Sequence, residues 1–532
     1  MSHHRRISLQ AALLALAALT ALAGCGMSGS RALAPRVRAG SAAAGPSAAS
    51  SPASSPAALS TAAENARPGT RDWRVHKVGA DHEIEGYTDQ VSVLPGRSFR
   101  LFVSTTAKGF TVQAFRMGWY GGTQARLVWS SPHQKGTEQA APKIDTSTNT
   151  VTAPWKPSLT VPTPDWPAGS YLLRLNADSG AQRYVPITVR SADVAGRLVV
   201  LNGTTTWQAY NLWGGYSLYE GPSGFGSRSR AVAFDRPYDK DGAVKFMAYE
   251  QPAIVLAERL GSPLAYTTDN DLHAGTGMLN GARGLLVLGH DEYWSTAMRD
   301  EATRARNAGV NIAFLGANEI NRHIRFAATR LGPNRLVICY KGLDDPIGEK
   351  DPSEVTIDWR FARKPWPESE LTGVFYECNP AEAAYVVYEP DHWLLAGTGV
   401  RKGRRFPGMV GPEYDRVNPI VETPRPIEII AHSPVTCGGA SSHADSAYYT
   451  VRSGAGVFAA GTMRWVCAMR GKGCGHGVTD AAKVFVDRVT ETLLRAMAEG
   501  PVGRTHPAED NIAQVKPYKG YPVVAGDDRP GR

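Results

Sequence analysis

Residues 284–295, GLLVLGHDEYWS, open with an apolar run and then place His290, Asp291, Glu292 and Tyr293 in succession. Side chains alternate along an extended chain, so His290 and Glu292 share one side and Asp291 faces the other. An imidazole beside a buried carboxylate either satisfies a core partner, or holds a cation, or moves a proton to or from water. Other apolar runs end in polar groups too: RLVVLNG leads into NGTTTWQAYNLWGGYSLY, PLAYTTDNDLH into Asp269, Asp271 and His273, and VNIAFLGANEI into Asn318 and Glu319. An Asp or Ser after a strand ordinarily caps the next helix, and Asp269 and Ser295 are read that way. His273 is read either as a packed residue or as a support for a ligand.

The missing motifs narrow the chemistry. These strand ends carry no G-x-S-x-G or equivalent cysteine elbow, the first strand is not followed by GxGxxG, and there is no P-loop. An acyl-enzyme, a dinucleotide and nucleotide phosphates are therefore disfavoured. Metal-assisted or carboxylate-driven attack by water remains, with oxygen donors and imidazole as the local supply.

Such residues converge only if the strands are parallel neighbours, because ligands bind beyond the carboxyl ends of a parallel sheet. The alternation after Gly196 predicts this: a strand, the amphipathic stretch FMAYEQPAIVLAERLG, two more strands, a helix from Ser295 to a stop at Gly309, and a fourth strand. GAGVFAAGTMRW supplies a closing strand, and TDAAKVFVDRVTETLLRAMAEG a helix with Val486, Val489, Leu493 and Met497 on one face. The expectation is a doubly wound α/β domain over residues 193–505 with an insertion at about 336–444, then a tail over 506–532. Before it, residues 76–192 read as short alternating strands between Gly and Pro turns, an immunoglobulin-like β-sandwich. Within it, Arg116, Trp119 and Tyr120 suggest either a carbohydrate platform or a turn packed on the next domain.

Residues 1–25 have the layout of a lipoprotein signal peptide: Arg5-Arg6, an apolar core, and LAGC ending at Cys25, the expected acylated residue. Residues 26–75 are mostly Ala, Ser, Pro and Gly and are expected to be a disordered tether. The chain is thus expected to be extracytoplasmic, anchored to a membrane through the lipid on Cys25. The residues up to His76 supply +6 of the formal +9 net charge, which leaves the rest near neutral and argues against a nucleic-acid partner. In an exported protein, Cys339, Cys378, Cys437, Cys467 and Cys474 predict two disulfides and one thiol, with the pairing open.

TWQAYN, the glycine-rich stretch to Tyr219, GHDEYWS, AGVNIAFLGANE and SGAGVFAAGTMRW together resemble the catalytic domain of the N,N-dimethylformamidase large (beta) subunit family, over roughly residues 195–500. FRMGWYGG is typical of the preceding domain in exported relatives. The resemblance implies a glutamine-amidotransferase-like α/β core and a mononuclear ferric ion held by two tyrosines and a glutamate. Carried across, Glu292 is the metal-binding glutamate and is catalytic together with His290 and Asn318, and Tyr210 is the first tyrosine. Tyr219 is the second, with Tyr216 competing. The implied reaction is hydrolysis of a linear amide C–N bond in a small amide substrate. The family works with a small subunit, so such a subunit or a homo-oligomer is the expected partner. The chain departs from the family at Asp291, where the formamidase motif carries proline, and in its N-terminal region, which puts the particular substrate in question. The competing expectation is a non-catalytic surface lipoprotein that recognises cell-wall glycan.

Overall fold

The computed structural model describes residues 60–418 and 421–515. Cys25 and most of the expected tether lie outside the described residues. The end of the expected tether is packed, however: Trp73 is only 2% exposed, and Glu64, on the short helix Thr61–Asn65, accepts from Tyr120 Oη (2.8 Å) and Arg126 Nε (2.8 Å). Composition hid this, because one tryptophan and one glutamate anchor an otherwise small-residue segment.

Two β-sheets follow and share one core. Strands Ile84–Thr88, Ser98–Thr105 and Leu159–Pro162 form the first. Gln182–Val189, Gly169–Ala177, Gly109–Met117 and Ala125–Ser130 form the body of the second, with antiparallel pairing throughout. Leu101 and Val103 of the first sheet and Val112, Leu173 and Val185 of the second meet in a single buried cluster. Arg116 and Tyr120 are buried. Arg116 pairs with Glu258 (2.7 Å) and donates to Tyr120 Oη (2.9 Å), which joins the β-rich segment to the helix that carries Glu258.

The central sheet has seven strands: β1 (Leu198–Asn202), β2 (Leu264–Thr268), β3 (Gly284–Gly289), β4 (Asn311–Gly316), β5 (Ile427–Cys437), β6 (Ala440–Thr450) and β7 (Gly456–Ala459), in the order β2-β1-β3-β4-β7-β6-β5. The pairs from β2 to β7 are parallel, and β6 and β5 add antiparallel strands at one edge. Alternation along β1 and β3 sends side chains to both faces. Leu198, Val200 and Leu286 pack with Val486, Val489 and Leu493, and Val199, Leu201, Leu285 and Val287 pack with Met298, Ala302 and Ala305. That two-sided burial is why these strands read as continuous apolar runs.

Helix α1 (Thr204–Ala209) follows β1, α2 (Gln251–Leu260) precedes β2, α3 (Thr296–Asn307) precedes β4, and α4 (Asp480–Glu499) closes the chain's regular structure. Some expectations shift. FMAYEQPAIVLAERLG is two helices, because Glu250 leaves helical geometry between Val244–Tyr249 and α2 and accepts from Asn202 Nδ2 and Trp207 Nε1. The expected insertion ends earlier than residue 444, since β5 and the start of β6 belong to the main sheet. The strand through Gly289 stops there, and Tyr293–Ser295 joins the strand Arg322–Thr329 of a separate sheet. The expected C-terminal tail also packs in part, with Asn511 Nδ2 donating to the Ile429 carbonyl. Disulfides join Cys378 to Cys437 and Cys467 to Cys474, and Cys339 is a buried free thiol.

Candidate functional site

The carboxyl ends of β1 and β3 meet at one point. At the end of β3, Gly289 has φ +71°, and a Cβ there would lie 2.4 Å from the Tyr249 carbonyl, so the chain can turn and deliver His290 only with glycine in this place. Beyond β1, the threonine run of α1 ties the two strand ends together. Thr205 Oγ1 donates to Asp269 Oδ2 (2.7 Å), and Thr206 Oγ1 accepts from the Glu292 N–H (2.9 Å) while donating to Asp291 Oδ1 (3.1 Å). Tyr210, the residue that ends α1, is thereby aimed at the residues following β3.

Three oxygens converge there. Tyr210 Oη lies 2.9 Å from Tyr219 Oη and 2.8 Å from Glu292 Oε2, and Tyr219 Oη is 2.8 Å from each Glu292 oxygen. The two phenol rings stack with centroids 4.4 Å apart. Tyr219 arrives through the turn that contains Gly214 (φ +76°) and Gly215 (φ +82°). Tyr216 is not part of the cluster and packs with Trp155 and Trp213 instead. His290 sits on the cluster's flank, with Nε2 3.1 Å from Tyr210 Oη and 3.5 Å from Glu292 Oε2, and Nδ1 3.2 Å from the Ala317 carbonyl. Asp291 faces away and accepts from Trp294 Nε1 (2.9 Å).

The surrounding charges come from distant parts of the chain. Arg322 Nε donates to Glu292 Oε1 (3.2 Å), Lys341 Nζ lies 3.3 Å over the Tyr219 ring, and Lys245 Nζ lies 3.8 Å over the Tyr210 ring. Tyr293 Oη donates to Tyr219 Oη (2.6 Å). Glu413 Oε2 lies 3.8 Å from His290 Nδ1 and accepts from Asn318 Nδ2 (2.7 Å). Asn318 therefore reaches the cluster only through Glu413 and His290. Its Oδ1 is buried without a hydrogen-bond partner. Lys245, Tyr293, Arg322, Lys341 and Glu413 are additions to the sequence reading. Tyr293 lies inside the quoted motif, whereas the others sit in stretches without a readable period.

Two strand-end residues have other duties. His273 turns to Ser295 Oγ (2.8 Å) and to the Phe326 ring, and does not support the cluster. Thr268, not Asp269, caps its helix, while Asp269 holds Thr205. Ser295 does cap α3.

Electrostatics separate the groups. Burial alone would raise the Glu292 carboxyl, but His290, Lys341 and Arg322 hold it well below the ordinary carboxylate range. Burial and the Glu292 charge push the Tyr210 phenol well above its ordinary value, and the same two causes act on Tyr293. Burial lowers His290, yet Glu413 and Glu292 outweigh it and bring it to about 9. Desolvation draws Lys245 down to about 8. A carboxylate thus stands among the raised phenols of Tyr210 and Tyr293 and the cations of Arg322 and Lys341.

This donor set fits a small, hard cation. Tyr210 Oη, Tyr219 Oη and the Glu292 carboxylate, mutually hydrogen-bonded at 2.8–2.9 Å, are the groups that would hold it. Two phenols and a carboxylate are hard anionic donors once deprotonated. Among the described residues, no group of three or more His, Cys, Asp or Glu side chains could hold a metal, so the phenols are essential to any such centre here.

The description "N,N-dimethylformamidase beta subunit-like, C-terminal" matches residues 111–479, most of the chain, and the protein belongs to that family. It is accordingly dimethylformamidase-like at the level of the family. No curated protein matches it. Among solved structures, a Paenibacillus sp. cycloisomaltooligosaccharide glucanotransferase complexed with cycloisomaltoheptaose is 15% identical over 24% of this chain and 17% of that chain, with a TM-score of 0.14. The matched part is thus about one sixth of that enzyme's length, and the likeness carries no argument about fold or function.

Proposed function

We infer that the protein is an iron-dependent hydrolase of linear amide C–N bonds, built on a glutamine-amidotransferase-like α/β core preceded by an immunoglobulin-like sandwich. The observation that supports this most directly is the convergence of Tyr210 Oη, Tyr219 Oη and Glu292 Oε2 within 2.9 Å of one another beside His290. Tyr210, Tyr219 and Glu292 would hold the ion. When bound, a ferric ion supplies Lewis acidity toward an amide carbonyl or a water.

The chain's own groups handle the protons. His290 Nδ1–H donates to the Ala317 carbonyl, which leaves Nε2 as the atom that takes up or releases a proton at the cluster. Glu413, close to Nδ1, stabilises the imidazolium and orients the ring. Asn318 donates one of its two amide N–H groups to Glu413, which holds Glu413 beside His290 and makes Asn318 a positioning residue.

The N-terminal layout supports export and acylation at Cys25, and the family's beta-subunit character supports a small partner subunit. The test of the reading is metal content and turnover of a linear formamide in the same preparation. Iron bound by the wild-type chain and lost with turnover in Glu292→Ala supports it, and turnover unchanged by that substitution overturns it.

A further inference from the structure

A basic groove lies apart from the Tyr210–Glu292 cluster, between α4 and the loop GTGVRKGRR at residues 397–405. Gly397, Gly399 and Gly403 all have positive φ (+73°, +67° and +81°), which lets the loop curl on itself. A Cβ at Gly397 would lie 3.6 Å from Arg488 Nε, so the loop backbone packs directly beneath a cation of α4. Arg401, Lys402, Arg404 and Arg488 are exposed along this groove, and Arg405 is exposed beside it.

The local charge is not cancelled. Asp487 and Glu491 are the acidic residues lining the groove, and both already have partners, Lys483 (2.6 Å) and Arg259. None of Arg401, Lys402, Arg404, Arg405 and Arg488 forms an ion pair among the described residues. Lys402 Nζ rests 4.0 Å over the Tyr388 ring. Val484, on α4, lines the same groove and is 69% exposed, so an apolar side chain lies beside these cations.

A face that sets several unpaired long cationic side chains beside an exposed apolar one complements an anionic bilayer surface, where each cation meets lipid phosphates. Single-stranded nucleic acid would call for exposed aromatic stacking surfaces, whereas an aliphatic valine lines the groove here. Among the described residues, no helix is long and apolar enough to cross a membrane, so contact through this face is peripheral. We propose that the groove formed by Arg401, Lys402, Arg404, Arg488 and Val484 docks the folded body on an anionic phospholipid surface. This contact is separate from any lipid at Cys25 and independent of the amidase reading.

The test is partitioning of the full chain onto neutral phosphatidylcholine vesicles and onto vesicles containing phosphatidylglycerol, with the anionic-to-neutral ratio of the wild type compared with that of variants that carry the same basic N-terminus, so that its charge cancels in the comparison. The wild-type chain is expected to prefer the anionic vesicles and to lose that preference as salt rises. Arg401→Gln/Lys402→Gln/Arg404→Gln should cut the preference about 100-fold, at about fivefold per cation. Val484→Asp, at an exposed helix position, should cut it as well, with thermal unfolding unchanged. An equal ratio for the wild-type and triple-variant chains overturns the proposal. So does binding to inorganic polyphosphate with no preference for anionic vesicles, which would mark a polyanion site rather than a membrane face.

Discussion

Tyr210 and Tyr219, nine residues apart, stack ring on ring and place their hydroxyls 2.9 Å from each other and 2.8 Å from the Glu292 carboxylate. Two phenols this close would not both ionise without a cation between them. Stacking and mutual hydrogen bonds fix their spacing, so few side-chain rotamers remain to be lost when a cation binds.

The position of Tyr216 supplies a discriminating pair of variants. Tyr219→Phe removes an oxygen from the cluster and is expected to abolish the visible tyrosinate-to-iron band and most of the bound iron. Tyr216→Phe, among Trp155 and Trp213, is expected to preserve both. Metal analysis and the absorption spectrum of the two variants check this.

Loading should also release protons. Tyr210 is held protonated well above its ordinary range, and both tyrosines must ionise to become ligands. Apparent iron affinity is therefore expected to rise with pH, by up to about 100-fold per unit if two protons leave. Titrating iron in buffers of different ionisation enthalpy measures the proton count.

His290 is expected to matter for turnover more than for metal. His290→Gln should lower kcat by about 100- to 10,000-fold while most iron is retained, because its Nε2 borders the oxygen cluster without completing it. Glu413→Gln, acting through His290 and Asn318, should lower kcat less and shift the pH profile.

Away from the site, His323 gives a stability prediction with a definite sign. Burial lowers it to about 4; its Nδ1–H donates to the Val355 carbonyl, Thr296 Oγ1 faces Nε2, and the ring stacks on Trp359. The folded state thus excludes a proton that the unfolded chain binds below about pH 6.5. The resulting stability is complete above that pH and is lost as pH falls toward 4, on the order of 3 kcal/mol. Thermal unfolding of wild type and His323→Gln across that window should show a steeper acid loss in the wild type.

The two disulfides should differ in weight. The Cys378–Cys437 bridge spans 59 residues and the Cys467–Cys474 bridge spans 7, so removing the first should cost about 4 kcal/mol and the second about 2 in the chain-entropy account. Denaturant unfolding of the paired Cys→Ser variants measures both.

His290 and Glu292 are legible in the sequence because a buried strand's two-residue period carries past its end, and Tyr210 because α1 is short and begins directly after β1. Tyr219 and Tyr216 are indistinguishable from residue order, since the left-handed glycines 214 and 215 break the register between Tyr210 and both of them. Glu413 and Arg322 are invisible for another reason. One lies in a proline-rich stretch and the other begins a strand of a separate sheet, so only long-range packing brings them to the site. The sheet's parallel centre follows from its apolar runs. Strands β5 and β6 carry polar residues at the sheet's edge and do not show that pattern.

The most direct measurement is the iron stoichiometry of purified wild-type protein alongside Tyr210→Phe/Tyr219→Phe, with the visible spectrum of each. The account predicts one iron per chain and a tyrosinate-to-iron band in the wild type, both lost in the double variant. A wild-type chain that binds no iron, or a double variant that keeps the metal and its band, would contradict it.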